Sequence, residues 1–287
     1  MAVLTAVVAL AALTLALAFA LSVASRRLRV SEDPRIDAVE AMLPHANCGA
    51  CGHPGCRAFA EAVVAGTAVP AQCTVGGAAE HRRIAAYLGV AAGTAERRVA
   101  RLACAGGTNV ARQRAHYRGT PGCRAAQLVA GGGKGCFWGC LGLGDCERSC
   151  RFGAIRMDES GLPRVDEDAC TACGDCVRVC PRELFSLQNV ANRLWVACRN
   201  LERGDAVLEE CAVGCTACGR CAADAPDGLV RMDGNLPVVD YAMAQRRAPI
   251  ERCPTGAIVW IDPERGPVRG AASAPVLRRS PLPDGGS

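Results

Sequence analysis

Aromatic side chains make up only 4% of the 287 residues, which excludes cores built mainly on Phe, Tyr and Trp. Lysine is almost missing: Lys134 is the only one, and arginine carries nearly all the positive charge. The formal net charge of +5 is modest. No basic stripe with interleaved aromatics accompanies it, so nucleic acid is not expected as a partner. The chain also lacks a G-x-G-x-x-G after a strand, a P-loop and a Ser/His/Asp arrangement, and it has just four histidines. A nucleotide fingerprint and a hydrolytic site are both absent, which leaves no substrate site of the chain's own.

What is plentiful is cysteine, twenty in all, set in short repeated spacings. Cys170, Cys173, Cys176 and Cys180, followed by Pro181, spell C-x2-C-x2-C-x3-C-P, the run that holds [4Fe–4S] clusters in bacterial ferredoxins. Thiolates are soft, charged ligands suited to such clusters. The spacing lets three sulfurs converge on one cluster while the fourth swings to a neighbour. Metal sites also compensate for the thin core of small cysteine-dense modules.

Residues Ala2 to Ala24 are uncharged and almost wholly apolar, and Ser25-Arg26-Arg27-Leu28-Arg29 follows. At 1.5 Å per residue the run spans about 34 Å, enough to cross a hydrocarbon layer. A cleaved signal peptide with Ala18-Phe19-Ala20 at its cleavage site is the rival reading. The lack of a basic residue before the run, and the arginines after it, favour a single-pass anchor in the cell's inner membrane. The positive-inside rule then places the remainder in the cytoplasm. There thiols stay reduced, and clustered cysteines bind metals more often than they form disulfides.

The expected fold class is α+β: one N-terminal transmembrane helix, a small helical four-Cys domain, then ferredoxin-like repeats. The anchor covers residues 1–25 and the four-Cys domain 32–92. A two-cluster unit covers 94–200 and a degenerate one-cluster unit 201–262. Pro, Gly, Ser and Arg dominate 263–287, which reads as a disordered tail. Helical spacing is expected around Ile36–Leu43, Arg57–Gly66 and within Gly76–Gly93, whereas 97–124 is less regular. Gly153-Ala154-Ile155-Arg156-Met157-Asp158 returns as Gly228-Leu229-Val230-Arg231-Met232-Asp233. Each copy predicts a hairpin of two short strands, turning at Ser160-Gly161 or Gly234-Asn235.

The N-terminal group C-x2-C-x4-C-x16-C supplies Cys48, Cys51, Cys56 and Cys73 in a Gly-rich loop followed by a helix. A structural zinc site is the plainer alternative there; His45 and His53 are read as loop donors. In the first ferredoxin unit Cys136, Cys140, Cys146 and Cys150 form a stretched motif, with Arg151 in place of the usual proline. Crossed ligation, as in two-cluster ferredoxins, puts Cys136, Cys140, Cys146 and Cys180 on one cluster. Cys170, Cys173, Cys176 and Cys150 take the other. In the last unit Ala225 stands at the fourth position, yet Cys253-Pro254 survives. Cys215, Cys218, Cys221 and Cys253 then form one set, and the other set is wholly missing. Four [4Fe–4S] clusters are expected. Cys104, Cys123, Cys198 and Cys211 remain, either as a fifth cluster or as buried thiols.

PHANCGACGHPGC (residues 44–56) with the later Cys73, GGGKGCFWGCLGLGDCERSC (131–150) and DACTACGDCVRVCP (168–181) lie beyond a single apolar helix. In that combination the chain resembles the B subunit of the Rnf complex, the ion-translocating ferredoxin:NAD oxidoreductase, in its longer form. The resemblance implies an electron-transfer subunit that works between soluble ferredoxin and the membrane-embedded and NAD-linked subunits. It places the Cys48 cluster near the membrane and the ferredoxin-like clusters towards the soluble partner. An electron-transfer subunit of another membrane oxidoreductase and a cytoplasmic zinc-binding scaffold are the alternatives.

Overall fold

The computed structural model describes residues 1–27, 33–94 and 96–275. Helix α1 (Ala2–Arg27) is built from Ala, Leu and Val and carries no charge until Arg26 and Arg27 in its last turn. Those arginines suit the negative end of the helix dipole. Leu4–Arg27 has a mean hydropathy of 2.5 and none of its surface is covered by the rest of the chain. By length and composition it can cross a membrane.

Three helices form the next body. Helix α2 (Pro34–Met42) starts on Asp33, whose carboxylate accepts the Arg35 amide, with Pro34 in the first turn where its missing N–H costs nothing. Helix α3 (Cys56–Val64) and helix α4 (Ala78–Leu88) follow, the latter ending on Gly89 in the left-handed region. Val39, Leu43, Phe59, Ala60, Val63 and Ile84 pack together between them. Arg57 reaches across from α3 to Asp37 and Glu40 at 2.8 and 2.9 Å.

The rest is mixed. Strand β1 (Arg98–Leu102) is followed by short helices α5 (Cys123–Leu128) and α6 (Asp145–Ser149), then the hairpin β2 (Ile155–Met157) and β3 (Pro163–Val165). Helix α7 (Asp175–Val179), strands β4 (Phe185–Asn189) and β5 (Leu194–Val196), and helices α8 (Asp205–Glu210) and α9 (Arg220–Ala223) come next. The second hairpin is β6 (Val230–Asp233) and β7 (Leu236–Val239). Helix α10 (Ala248–Glu251) and strands β8 (Ile258–Asp262) and β9 (Gly266–Val268) close the described chain. The two hairpins are antiparallel, Ile155 opposite Val165 and Val230 opposite Val239. Gly234, at φ 57, takes the left-handed turn position between β6 and β7.

Long-range pairings interlock the two ferredoxin-like units. Within 97–124, β1 pairs antiparallel with β4, Leu102 opposite Phe185. The expected boundary at 200/201 is not a break. Strand β5 pairs with β8, Leu194 opposite Trp260, and Ala111 bridges to Cys211. The Trp195 indole N–H donates to the Leu102 carbonyl at 2.9 Å. Nor is 263–275 a disordered tail. Strand β9 adds to β8, with Pro267 opposite Ile261, and the Ala274 amide donates to the Pro254 carbonyl at 2.9 Å. A proline is tolerated there because β9 is an edge strand, so composition concealed it. Residues 276–287 of that expectation, and the start of the four-Cys domain at residue 32, lie outside the described residues.

Candidate iron–sulfur sites

All twenty cysteines are free thiols. They gather in fours. Cys48, Cys51, Cys56 and Cys73 line one cavity at the start of α3. The loop that brings them round uses left-handed backbone at Gly49 and Gly52 (φ 74 and 87). Asn47 Oδ1 accepts the Cys56 amide at 2.8 Å, and His81 Nε2 lies 2.9 Å from the Cys73 carbonyl oxygen. His53 packs its ring against Phe59 at 5.6 Å, and His45 is exposed. Neither histidine lines the cavity.

Cys150, Cys170, Cys173 and Cys176 line a second cavity, walled by Ala100, Phe152, Ile155 and Leu187. The Ala100 amide of β1 donates to Cys170 Sγ at 3.4 Å. The turn has Ala172 and Gly174 at φ 56 and 81. Ala217 and Gly219 repeat it at 58 and 71 in the last unit, where Cys215-Thr216-Ala217-Cys218-Gly219 has the same spacing. Burial, then the neighbouring thiols Cys170 and Cys173, push the Cys176 thiol up to about 12.

The third cavity corrects the sequence reading. Cys140, Cys146 and Cys180 share it with Cys123, not Cys136. Gly122-Cys123 opens α5 directly beside α6, where the Arg124 amide donates to Asp145 at 3.2 Å. Cys136 is turned away. Its carbonyl accepts from Arg182 at 3.5 Å, and its sulfur faces the Asn200 side-chain amide at 3.7 Å. The Phe137-Trp138-Gly139 spacer is one residue longer than in C-x2-C, so Cys136 and Cys140 serve different cavities. The Leu184 amide donates to Cys180 Sγ at 3.4 Å.

Cys136 joins Cys104, Cys198 and Cys211 around a fourth cavity with Lys134, Trp138 and Asn200. Burial pushes both Cys198 and Cys211 up to about 12. Cys104, Cys198 and Cys211, like Cys123, come from segments with no motif spacing, so only their surplus over the regular sets marked them in the sequence.

In the last unit Cys215, Cys221 and Cys253 belong to one buried core, with Cys218 exposed beside them. Burial, followed by the mutual proximity of these thiols, pushes Cys215 and Cys221 up to about 11. Ala225, which stands at the position that Cys180 holds in the first unit, packs against the core that contains Leu194, Leu229 and Ile250, as Ala222, Tyr241 and Met243 also do.

Among the described residues no three His, Cys, Asp or Glu side chains converge closely enough to hold a single metal ion. The thiols ring spaces, whereas a lone Zn2+ draws its sulfurs to about 2.3 Å. An all-sulfur donor set, amide N–H groups aimed at sulfurs and apolar walls fit a [4Fe–4S] cluster.

Comparison with known proteins agrees. Residues 43–75 match a family described as a putative Fe-S cluster domain, and 138–185 match the 4Fe-4S dicluster domain. The chain is 38% identical over 239 residues to the B subunit of the Na(+)-translocating ferredoxin:NAD(+) oxidoreductase complex of Acetobacterium woodii. That alignment covers 83% of this chain and 72% of the relative. It is 39% identical over 242 residues to the B subunit of the proton-translocating ferredoxin:NAD(+) oxidoreductase complex of Clostridium ljungdahlii, covering 83% and 85%. To the B subunit of the ion-translocating oxidoreductase complex of Methanosarcina acetivorans it is 35% identical over 257 residues, covering 89% and 94%. With that extent of identity and its [4Fe–4S] domains, the chain belongs to the family of B subunits of ion-translocating oxidoreductase complexes, as an iron–sulfur electron-transfer subunit.

Proposed function

We propose that this subunit relays electrons between soluble ferredoxin and the NAD-linked and membrane-embedded subunits of its complex. In this reading α1 fixes it to the membrane, and the Arg26-Arg27 flank keeps the thiol-bearing part on the cytoplasmic side. Ligands are assigned as Cys48, Cys51, Cys56 and Cys73; Cys150, Cys170, Cys173 and Cys176; Cys123, Cys140, Cys146 and Cys180; and Cys215, Cys218, Cys221 and Cys253. Each bound [4Fe–4S] cluster supplies a centre that takes up and releases one electron.

The observation that carries the reading is that the segments bearing neighbouring thiol sets touch. Arg151, next to Cys150, donates to the Ala46 carbonyl at 3.2 Å, and Ala46 borders the Cys48 cavity. Cys146 lies in α6 and Cys150 just after it, Cys176 lies in α7 and Cys180 just after it, and all four share one apolar cluster with Phe185. The protein thereby holds its centres at fixed spacing, shields them with apolar walls and tunes them with amide donors to sulfur. Helix α1 has no charged residue within the membrane span before Arg26, so ion movement falls to other subunits.

The test is anaerobic addition of reduced ferredoxin to the full chain in detergent, followed by EPR. Ferredoxin-dependent reduction of the clusters is expected. Clusters that dithionite reduces but ferredoxin does not would refute the proposed partner.

A further inference from the structure

We propose that Cys104, Cys136, Cys198 and Cys211 hold a fifth [4Fe–4S] cluster, and that this site joins the two ferredoxin-like units. Four thiols from four separate segments line one enclosed space with no carboxylate or imidazole among its walls. Their convergence is built by long-range structure. Ala111 bridges to Cys211, the Arg112 amide donates to the Glu210 carbonyl at 2.8 Å, and Lys134 bridges to Gln113. Sulfur hydrogen bonds are already in place, from the Asn200 side chain to Cys136 and from the Asn200 amide to Cys198 at 3.4 Å.

Its position gives the site its role. The Cys140 amide donates to Cys104 Sγ at 3.4 Å, so a ligand residue of the third set touches this one. On the far side the Cys215 amide donates to Cys198 Sγ at 3.3 Å, making the same contact with the last set. One N–H···S bond on each side therefore links the two ferredoxin-like units through this site.

The chain's only lysine completes it. Lys134 is buried, and its ammonium donates to the Gly106 carbonyl and, at 2.7 Å, to the Cys140 carbonyl. Four thiolates around a cluster leave net negative charge in a low-dielectric pocket, and one fixed cation offsets part of it, which favours the reduced form. Loading by exchange would balance: a preformed, thiolate-ligated [4Fe–4S]2+ cluster would give up its four donor thiolates for these four, the four S–H protons would leave on the released thiols, and no oxidation state would change.

The assignment rests on the iron–sulfur reading of the neighbouring sites, and its failure is separable from theirs. The full chain, loaded anaerobically, is assayed for iron, sulfide and zinc and titrated by EPR. About 20 Fe per chain is expected, falling to about 16 in Cys198→Ser, at four Fe per cluster. In Lys134→Gln the iron should be unchanged. The cluster lost in Cys198→Ser should there become at least tenfold harder to reduce, 59 mV for one electron, with Lys134→Arg restoring it. About 16 Fe in the parent with ferredoxin reduction intact, a zinc ion at the site, or no potential shift in Lys134→Gln overturns the proposal. Loss of all cluster signals would instead strike the relay reading itself.

Discussion

Phe59→Ala tests how far the four-Cys body depends on its cluster. Phe59 is 1% exposed and packs with Val39, Leu43, Val63 and Ile84. It also forms part of the wall around Cys48, Cys51, Cys56 and Cys73. Truncating a buried Phe costs about 3–5 kcal/mol. A body of roughly 60 residues has only about 3–9 kcal/mol of stability, at about 0.05–0.15 kcal/mol per residue. The substitution therefore removes at least about a third of the apo stability, and all of it at the other end of these ranges. A bound cluster ties α3 to the Cys48 and Cys73 loops and supplies folding free energy of its own. In hydrogen exchange on the full chain in detergent, peptides from α2 to α4 should exchange freely in the apo variant. They should stay protected in the loaded one. Equal protection of apo variant and apo parent would show that the apolar core suffices and refute the argument.

Three further expectations follow from the thiol geometry. Cys123→Ser should cost about four Fe per chain, with Cys136→Ser removing a spectroscopically different cluster; identical spectra for the two would restore the sequence pairing of Cys136 with Cys140. Cys253→Ala should also remove one cluster, whereas Ala225→Cys should add no iron, because residues 241–252, where the other three ligands would come from, hold no cysteine; iron gained by Ala225→Cys alone contradicts this. In the apo protein burial raises Cys140, Cys146 and Cys211 from 9.0 to about 12. A raised folded pKa gives stability that is complete below pH 9 and lost as pH rises towards 12, so thermal melts of the apo chain should fall across that window, and a flat profile would refute it.

Local spacing made the Cys48 and Cys170 groups legible, since three thiols of each lie in one tight loop and the start of the helix after it. The repeated hairpins were legible because alternation and a turn residue occur within a dozen positions. Residues 123, 136, 198 and 211 were not, because their neighbours are set by pairings such as β1 with β4 and Ala111 with Cys211, which leave no local signature. The stretched Cys136–Cys140 spacer held a usable sign of the swap. An additional residue between two chelating thiols sends them to different partners. Strand β9 escaped notice because an edge strand tolerates proline and glycine.

The sharing of a sheet between β5 and β8 also bears on how the molecule is made. Strand β5 leaves the ribosome before its partner does, so the first ferredoxin-like unit waits with an open edge until β8 has been synthesised. Thiols of the four-Cys body can be furnished with iron early, during translation. The last set is completed only when Cys253 has been synthesised, after every other thiol of these sets. Maturation of the protein should therefore begin in the four-Cys body and close last at the set that needs Cys253.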